Sequence, residues 1–174
     1  MIRRRVGQFA AAMLAKVTEQ DKEYVASYLS DVEQKLFYAV SIPDQKHAIR
    51  VARTAERLIR AENVACDKRL TVRSALLHDV GRTRRDMGTS GKVISVLLRA
   101  CFGTRIKSWR KKNLRRKGLR HVIYVYYEHP KIGAEMLRAI GDECEAAIIE
   151  KHHSEPKADE PIELTLLRRA DELN

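Results

Sequence analysis

Leu76-Leu77-His78-Asp79-Val80-Gly81-Arg82 sets a histidine and an aspartate side by side directly behind an apolar run. The pattern predicts a helix capped by Thr71, with Ala75, Leu76 and Leu77 inside it and Gly81 at its C-terminal cap. Asp79 follows Leu76 by three residues and His78 follows Ser74 by four, so both polar groups extend the inward stripe of that helix. A carboxylate on such a face is costly to bury unless it is paired or bound to a metal ion. Helical neighbours point about 100° apart. They do not grip one ion as an i, i+4 pair does; they can serve two adjacent ions, or one of them can bridge.

Outward from that stretch the chain reads as helix after helix. Segment 1–17 is amphipathic, with Val6, Phe9, Ala10, Met13, Leu14 and Val17 at helical spacing. Thr18 with Asp21 suits the start of a helix running to about Leu29, and 31–40 reads as another, stopped near Ser41-Ile42-Pro43. Segment 44–61 carries Ile49, Val51, Ala52, Ala55, Leu58 and Ile59 at core spacing, and His47 shares a face with Val51, Ala55 and Leu58. Val122 to Tyr127 has strand propensity but no partner strand, so it is assigned to helix. Pro130 suits the first turn of a helix ending near Gly141. Asp142 and Glu145 resemble a capping box for 143–153. A last helix starts near Pro161, with Asp171 on the face of Leu164 and Leu167. The expected fold is all-α, a single helical domain over 1–174, with N-terminal helices over 1–40 and an insertion over 88–121.

Composition agrees. Of 174 residues, 44% are apolar and 33% charged, which fits one soluble domain with a sizeable core. Cys66, Cys101 and Cys144 are odd in number and far apart, so neither a disulfide framework nor a thiolate zinc site is indicated, and a reducing cytoplasm is the expected compartment. Arg3-Arg4-Arg5 precedes an apolar stretch that ends at Lys16, too short for a membrane span and better read as helix than as an export signal.

Five of the six histidines lie near predicted helix boundaries beside apolar segments, and His152-His153 form a second adjacent pair. Imidazole and carboxylate suit Fe, Mn, Co, Ni or Zn. His121, between Arg120 and Val122, reads as an ordinary core residue.

The stretch Leu76 to Arg82 closely resembles the signature of the HD superfamily of metal-dependent phosphohydrolases. That superfamily has an upstream His, the His-Asp doublet and a downstream Asp as metal ligands on a helical fold. Here the resemblance implies His47, in Asp-Gln-Lys-His over 44–47, with His78, Asp79 and Asp171. His129-Pro130-Lys131-Ile132-Gly133 and His152-His153-Ser154-Glu155 resemble the His-Pro-x-x-Gly and His-His-x-Glu elements of the two-metal HD-GYP subgroup. They imply a second ion held by His129, His152 and His153, with Asp79 bridging. Two positions depart. Ser154-Glu155-Pro156-Lys157 stands where Gly-Tyr-Pro is expected, and Arg82 replaces the lysine that commonly follows His-Asp-x-Gly. Arginine keeps the charge and grips phosphate through two N–H groups, but it is not a neutral exchange for lysine.

The resemblance implies a phosphodiesterase, phosphatase or nucleotide hydrolase acting through a metal-activated water. Asp79 and Arg82 carry the chemistry, and Arg82, Arg84, Arg85 and Lys131 are candidates for holding the phosphate. Two divalent ions are implied, with Fe or Mn favoured over Ni, Co, Zn or Mg. Two other classes share these residues: a di-iron oxygen-dependent enzyme on the same fold, and a non-catalytic module binding metal, nucleotide or nucleic acid.

Charge is concentrated. Segment 82–127 holds 14 Lys or Arg and one acid, so the whole net charge of +11 originates there. Within it, Trp109 lies among ten Lys or Arg over 99–120. That stretch reads as a solvated helical face, as a surface for nucleotide or nucleic acid with Trp109 stacking, or as a contact for acidic lipids. The preceding Val93 to Phe102 reads as a core helix.

Overall fold

The computed structural model describes residues 16–83 and 118–174. All but the last two residues of the predicted helix over 1–17, most of the basic insertion, Arg84 and Arg85 lie outside the described residues; Lys16 and Val17 are not helical. Seven helices are described: α1 (Glu19–Tyr28), α2 (Asp31–Ala39), α3 (Ile42–Glu62), α4 (Lys68–Leu77), α5 (Leu119–Arg138), α6 (Glu143–Ile149) and α7 (Ile162–Glu172). The fold is all-α. Among the described residues the β-type pairing is one isolated bridge, Val40 to Thr83.

Local chemistry sets several starts. Thr18 and Asp21 form a reciprocal capping box on α1, and Ser30 and Glu33 form another on α2. Pro43 sits in the first turn of α3, where its missing N–H costs nothing. Asn63 ends α3 in the left-handed region at φ 48°, a conformation asparagine tolerates.

The core is organised around α4. Its residues Val72, Ala75, Leu76 and Leu77 are fully buried against α3, α6 and α7, with α1 and α2 also touching it. Ile49, Val51, Ala52 and Ala55 of α3 and Leu164, Leu167 and Ala170 of α7 complete the same cluster. A short helix so enclosed is fixed mainly by tertiary packing. Its C-terminal end therefore emerges at a defined place.

Five expected boundaries differ from the structure. α4 begins one turn earlier than Thr71, because the Asp67 side chain accepts from the Leu70 N–H at 2.9 Å and is the cap; the Thr71 hydroxyl donates instead to the Asp67 carbonyl. Gly81 is not a left-handed cap: His78 holds the C-cap position in the right-handed region. Pro130 does not open a helix but lies inside α5, which runs unbroken through the strand-like Val122 to Tyr127. Asp142 and Glu145 form no capping box, because both carboxylates face Arg73 of α4, at 3.1 and 2.7 Å. α6 then stops at Ile149 rather than reaching 153.

Candidate metal centre

The ends of α4 and α6 and the middle of α5 deliver three histidines by one device. His78 Nδ1 lies 2.8 Å from the Ala75 carbonyl, His129 Nδ1 2.9 Å from that of Tyr126, and His152 Nδ1 2.6 Å from that of Ile149. A carbonyl only accepts, so each Nδ1 carries the proton and each Nε2 keeps its lone pair. In α4 and α6 these are last-turn carbonyls of the kind a helix end leaves over. In α5 the opening comes from Pro130, which has no N–H to offer Tyr126 one turn back.

The Nε2 atoms converge. His47 and His78 have ring centroids 5.4 Å apart, His78 and His152 5.3 Å, His129 and His152 5.3 Å, and His129 and His153 5.1 Å. His152 and His153 follow α6 on a tightened turn, with Lys151 N–H on the Ile148 carbonyl and Ser154 N–H on that of Lys151. Asp79 lies among them. Its Oδ2 is 3.6 Å from His78 Nε2, and its Oδ1 is 3.2 Å from His129 Nε2. Asp171 Oδ1 reaches from α7 to His47 Nε2 at 2.9 Å and to His78 Nε2 at 3.9 Å. Two groups of donors thus share one clearing: His47, His78 and Asp79, with Asp171 beside them, and His129, His152 and His153.

Burial sharpens the chemistry. His78, Asp79, His129 and His152 are all buried, and His153 is exposed. Burial pushes the Asp79 carboxyl up, but Arg82, then His78 and His129, outweigh it and hold it well below the usual carboxylate range. Burial, then the Arg82 charge, pulls His129 down to about 4, so it is neutral at physiological pH. Burial lowers His152 and His153 as well. Asp171 is lowered too: burial would raise it, but the His47 hydrogen bond prevails.

The cluster fits a metal ion on its own geometry. Asp79 Oδ1 and His152 Nε2 are buried and accept no hydrogen bond from any described group. His129 Nε2 and Asp79 Oδ1 face each other as two acceptors. The unmet Asp79 Oδ1 and His152 Nε2 are costly to bury, and a cation meets both. The donors are imidazole and carboxylate with no thiolate, which suits a first-row divalent ion.

Arg82 donates through Nη1 to Asp79 Oδ2 and through Nη2 to His129 Nε2, both at 2.9 Å. Lys131 is exposed, and its ion pair among the described residues is with Glu128. His121 is buried near the start of α5, stacked on Tyr124 and outside both donor groups.

Sequence reading missed two supports. Gly81 touches α5 so closely that a Cβ there would lie 2.2 Å from the His129 carbonyl oxygen and 2.9 Å from the Gly133 nitrogen. The spacing of Gly133 four residues after His129 was the available signal. Arg168 of α7 donates to the carbonyls of Lys151 (2.8 Å) and His152 (3.2 Å) and to the Ser154 hydroxyl (3.1 Å), while its other arm is held by Glu160. It pins the double-histidine turn from a distance no local pattern reveals.

The family model described as HD domain matches residues 45–174, about three quarters of the chain. The chain belongs to the HD domain family. That family consists mostly of metal-dependent hydrolases that bind divalent ions. No curated protein and no solved structure matches. Every donor of this HD domain's cluster falls inside the matched segment. No helix among its described residues is long and apolar enough to cross a membrane.

Proposed function

We propose that this HD domain hydrolyses a phosphoester or phosphoanhydride bond in a phosphorylated small molecule or nucleotide, using two divalent ions, Fe or Mn favoured. What supports the reading above all is the meeting of Asp79 Oδ1 with His129 Nε2 at 3.2 Å, two buried acceptors turned on one another at the border of two donor groups. Held by these residues, two divalent ions would supply an acidified water as nucleophile and positive charge for the phosphoryl oxygens.

The chain's own part is placement. His47, His78, Asp79 and Asp171 present the donors of one ion, and His129, His152 and His153 those of the other. Asp79 lies between the two groups, Oδ2 towards His78 and Oδ1 towards His129, and would contribute to both. The Nδ1 bonds fix the rings, so the donors need little reorganisation. Arg82, in contact with this carboxylate, is the nearest candidate to hold the phosphate; Arg84, Arg85 and Lys131 are further candidates. Ser154-Glu155-Pro156 in place of Gly-Tyr-Pro disfavours cyclic di-GMP as substrate. The basic segment over 88–121 suits an anionic partner, nucleic acid or an acidic lipid surface, and salt-sensitive retention on DNA, RNA or anionic vesicles distinguishes these from mere solubility.

Asp79→Ala is the deciding variant. Metal content and hydrolysis of a phosphoester panel should both fall to background, a loss of at least a hundredfold in rate. Full metal content and activity in that variant would remove the reading. Oxygen uptake by iron-loaded protein without hydrolysis would instead identify the di-iron alternative, and bound metal with no turnover the non-catalytic one.

A further inference from the structure

An imidazole nitrogen has one lone pair, and that of His129 Nε2 is already engaged. With Nδ1 donating to Tyr126, Nε2 accepts from Arg82 Nη2 at 2.9 Å. The same guanidinium holds Asp79 Oδ2 through Nη1. His129 and Asp79 are two of the groups an ion on the His129, His152, His153 side needs. An ion coordinated by His129 and an arginine hydrogen-bonded to it exclude each other. The other side carries no such conflict: among the described residues, Arg82 bonds to none of His47, His78 or Asp171. A carboxylate oxygen, moreover, has lone pairs enough for both a metal and an arginine.

Arg82 is not fastened as a structural arginine is. Its Nε is buried and donates to nothing described, so the guanidinium is incompletely satisfied where it stands. It also arises from a turn just past the helix end, held by its backbone N–H on the Asp79 carbonyl, so the side chain can leave while the backbone stays.

We propose that Arg82 is an internal counter-cation that occupies the second ion's place, so that this ion binds only when the Arg82 side chain swings away from His129. The inference rests on the two-ion reading above and adds an order to it: the His47, His78, Asp79, Asp171 site fills first and the His129 site second. Once displaced, the guanidinium is released beside the centre as a free cation for an anionic group.

Mn2+ titration of the full chain tests this, read by calorimetry and by the electron paramagnetic resonance of bound Mn2+, with no dependence on turnover. Wild type should bind one ion tightly and a second at least tenfold more weakly, with the spin-coupled signal of a pair appearing only at the second. Arg82→Ala should tighten the second site at least tenfold and leave the first within threefold. Arg82→Lys keeps the charge but not the two-armed grip, and should tighten the second site as well. If Arg82→Lys behaves as wild type, or if Arg82→Ala tightens both sites equally, the effect is one of field and the displacement is overturned. An unchanged second site in both variants overturns it too. A wild type that binds no Mn2+ removes the two-ion reading itself, and this inference with it.

Discussion

His129 owes its direction to the residue that follows it. Pro130 leaves the Tyr126 carbonyl without its usual helical donor, His129 Nδ1–H takes that place at 2.9 Å, and Nε2 is turned on Asp79. The sequence displays Pro130 plainly, yet propensity reads it as a helix start, since the compensating bond comes from a side chain. The candidate donors that the HD resemblance implied, His47, His78, Asp79, Asp171 and the three later histidines, are brought together in the fold. Gly81 was seen and misread. Its role is close approach to α5 rather than a left-handed turn. Gly81→Ala should drive Cβ into the His129 carbonyl, cost about 3 kcal/mol of stability as an overpacked contact, and weaken metal binding on the His129 side first. Urea unfolding with metal analysis at fixed Mn2+ measures both, and wild-type values for each would contradict the contact.

At the scale of elements, α4 was legible from its apolar run, and the α1 capping box from Thr18 and Asp21. The end of α6 was not. Asp142 and Glu145 have the spacing of a cap, but Arg73 lies 69 positions before Asp142 and draws both carboxylates away. Long-range pairing overrode a local pattern that is otherwise sound. Arg168 acts the same way on the turn after α6, joining α7 to the carbonyls of Lys151 and His152. It is a positioning residue. Arg168→Ala should loosen the double-histidine turn, weaken the second Mn2+ site about tenfold and leave the first unchanged. It should also cost about 2 kcal/mol, since two carbonyls and Glu160 lose a charged partner. Arg168→Lys should restore stability in part but not the paired bonds to the turn. Equal losses at both metal sites would mean a general destabilisation instead.

For the whole molecule, the all-α assignment followed from helical patterning along the chain, with Val122 to Tyr127 assigned to helix only for want of a partner strand, and enclosure of α4 by its neighbours follows from its apolar stripe. What stayed hidden was how segments far apart in the chain meet. That juxtaposition makes the metal a contributor to stability. A ligand that binds only the folded chain stabilises it by about 2.7 kcal/mol at a hundredfold excess over its Kd. Thermal unfolding should therefore shift upward with added Mn2+ and downward with a chelator, while Asp79→Ala responds to neither. A wild-type melting temperature indifferent to both would place the cluster outside metal binding.

His47 and Asp171 stand 124 positions apart and meet at 2.9 Å. A clasp made there turns most of the chain into a closed loop, and closing a loop of that length is an entropic cost the folded state meets once. Unbuckled, α7 loses its tie to the centre and keeps its packing and the peripheral bonds of Arg168 and Arg169. Its amides are then the ones to exchange hydrogen earliest, so the C-terminal helix becomes a built-in gauge of whether the centre is loaded.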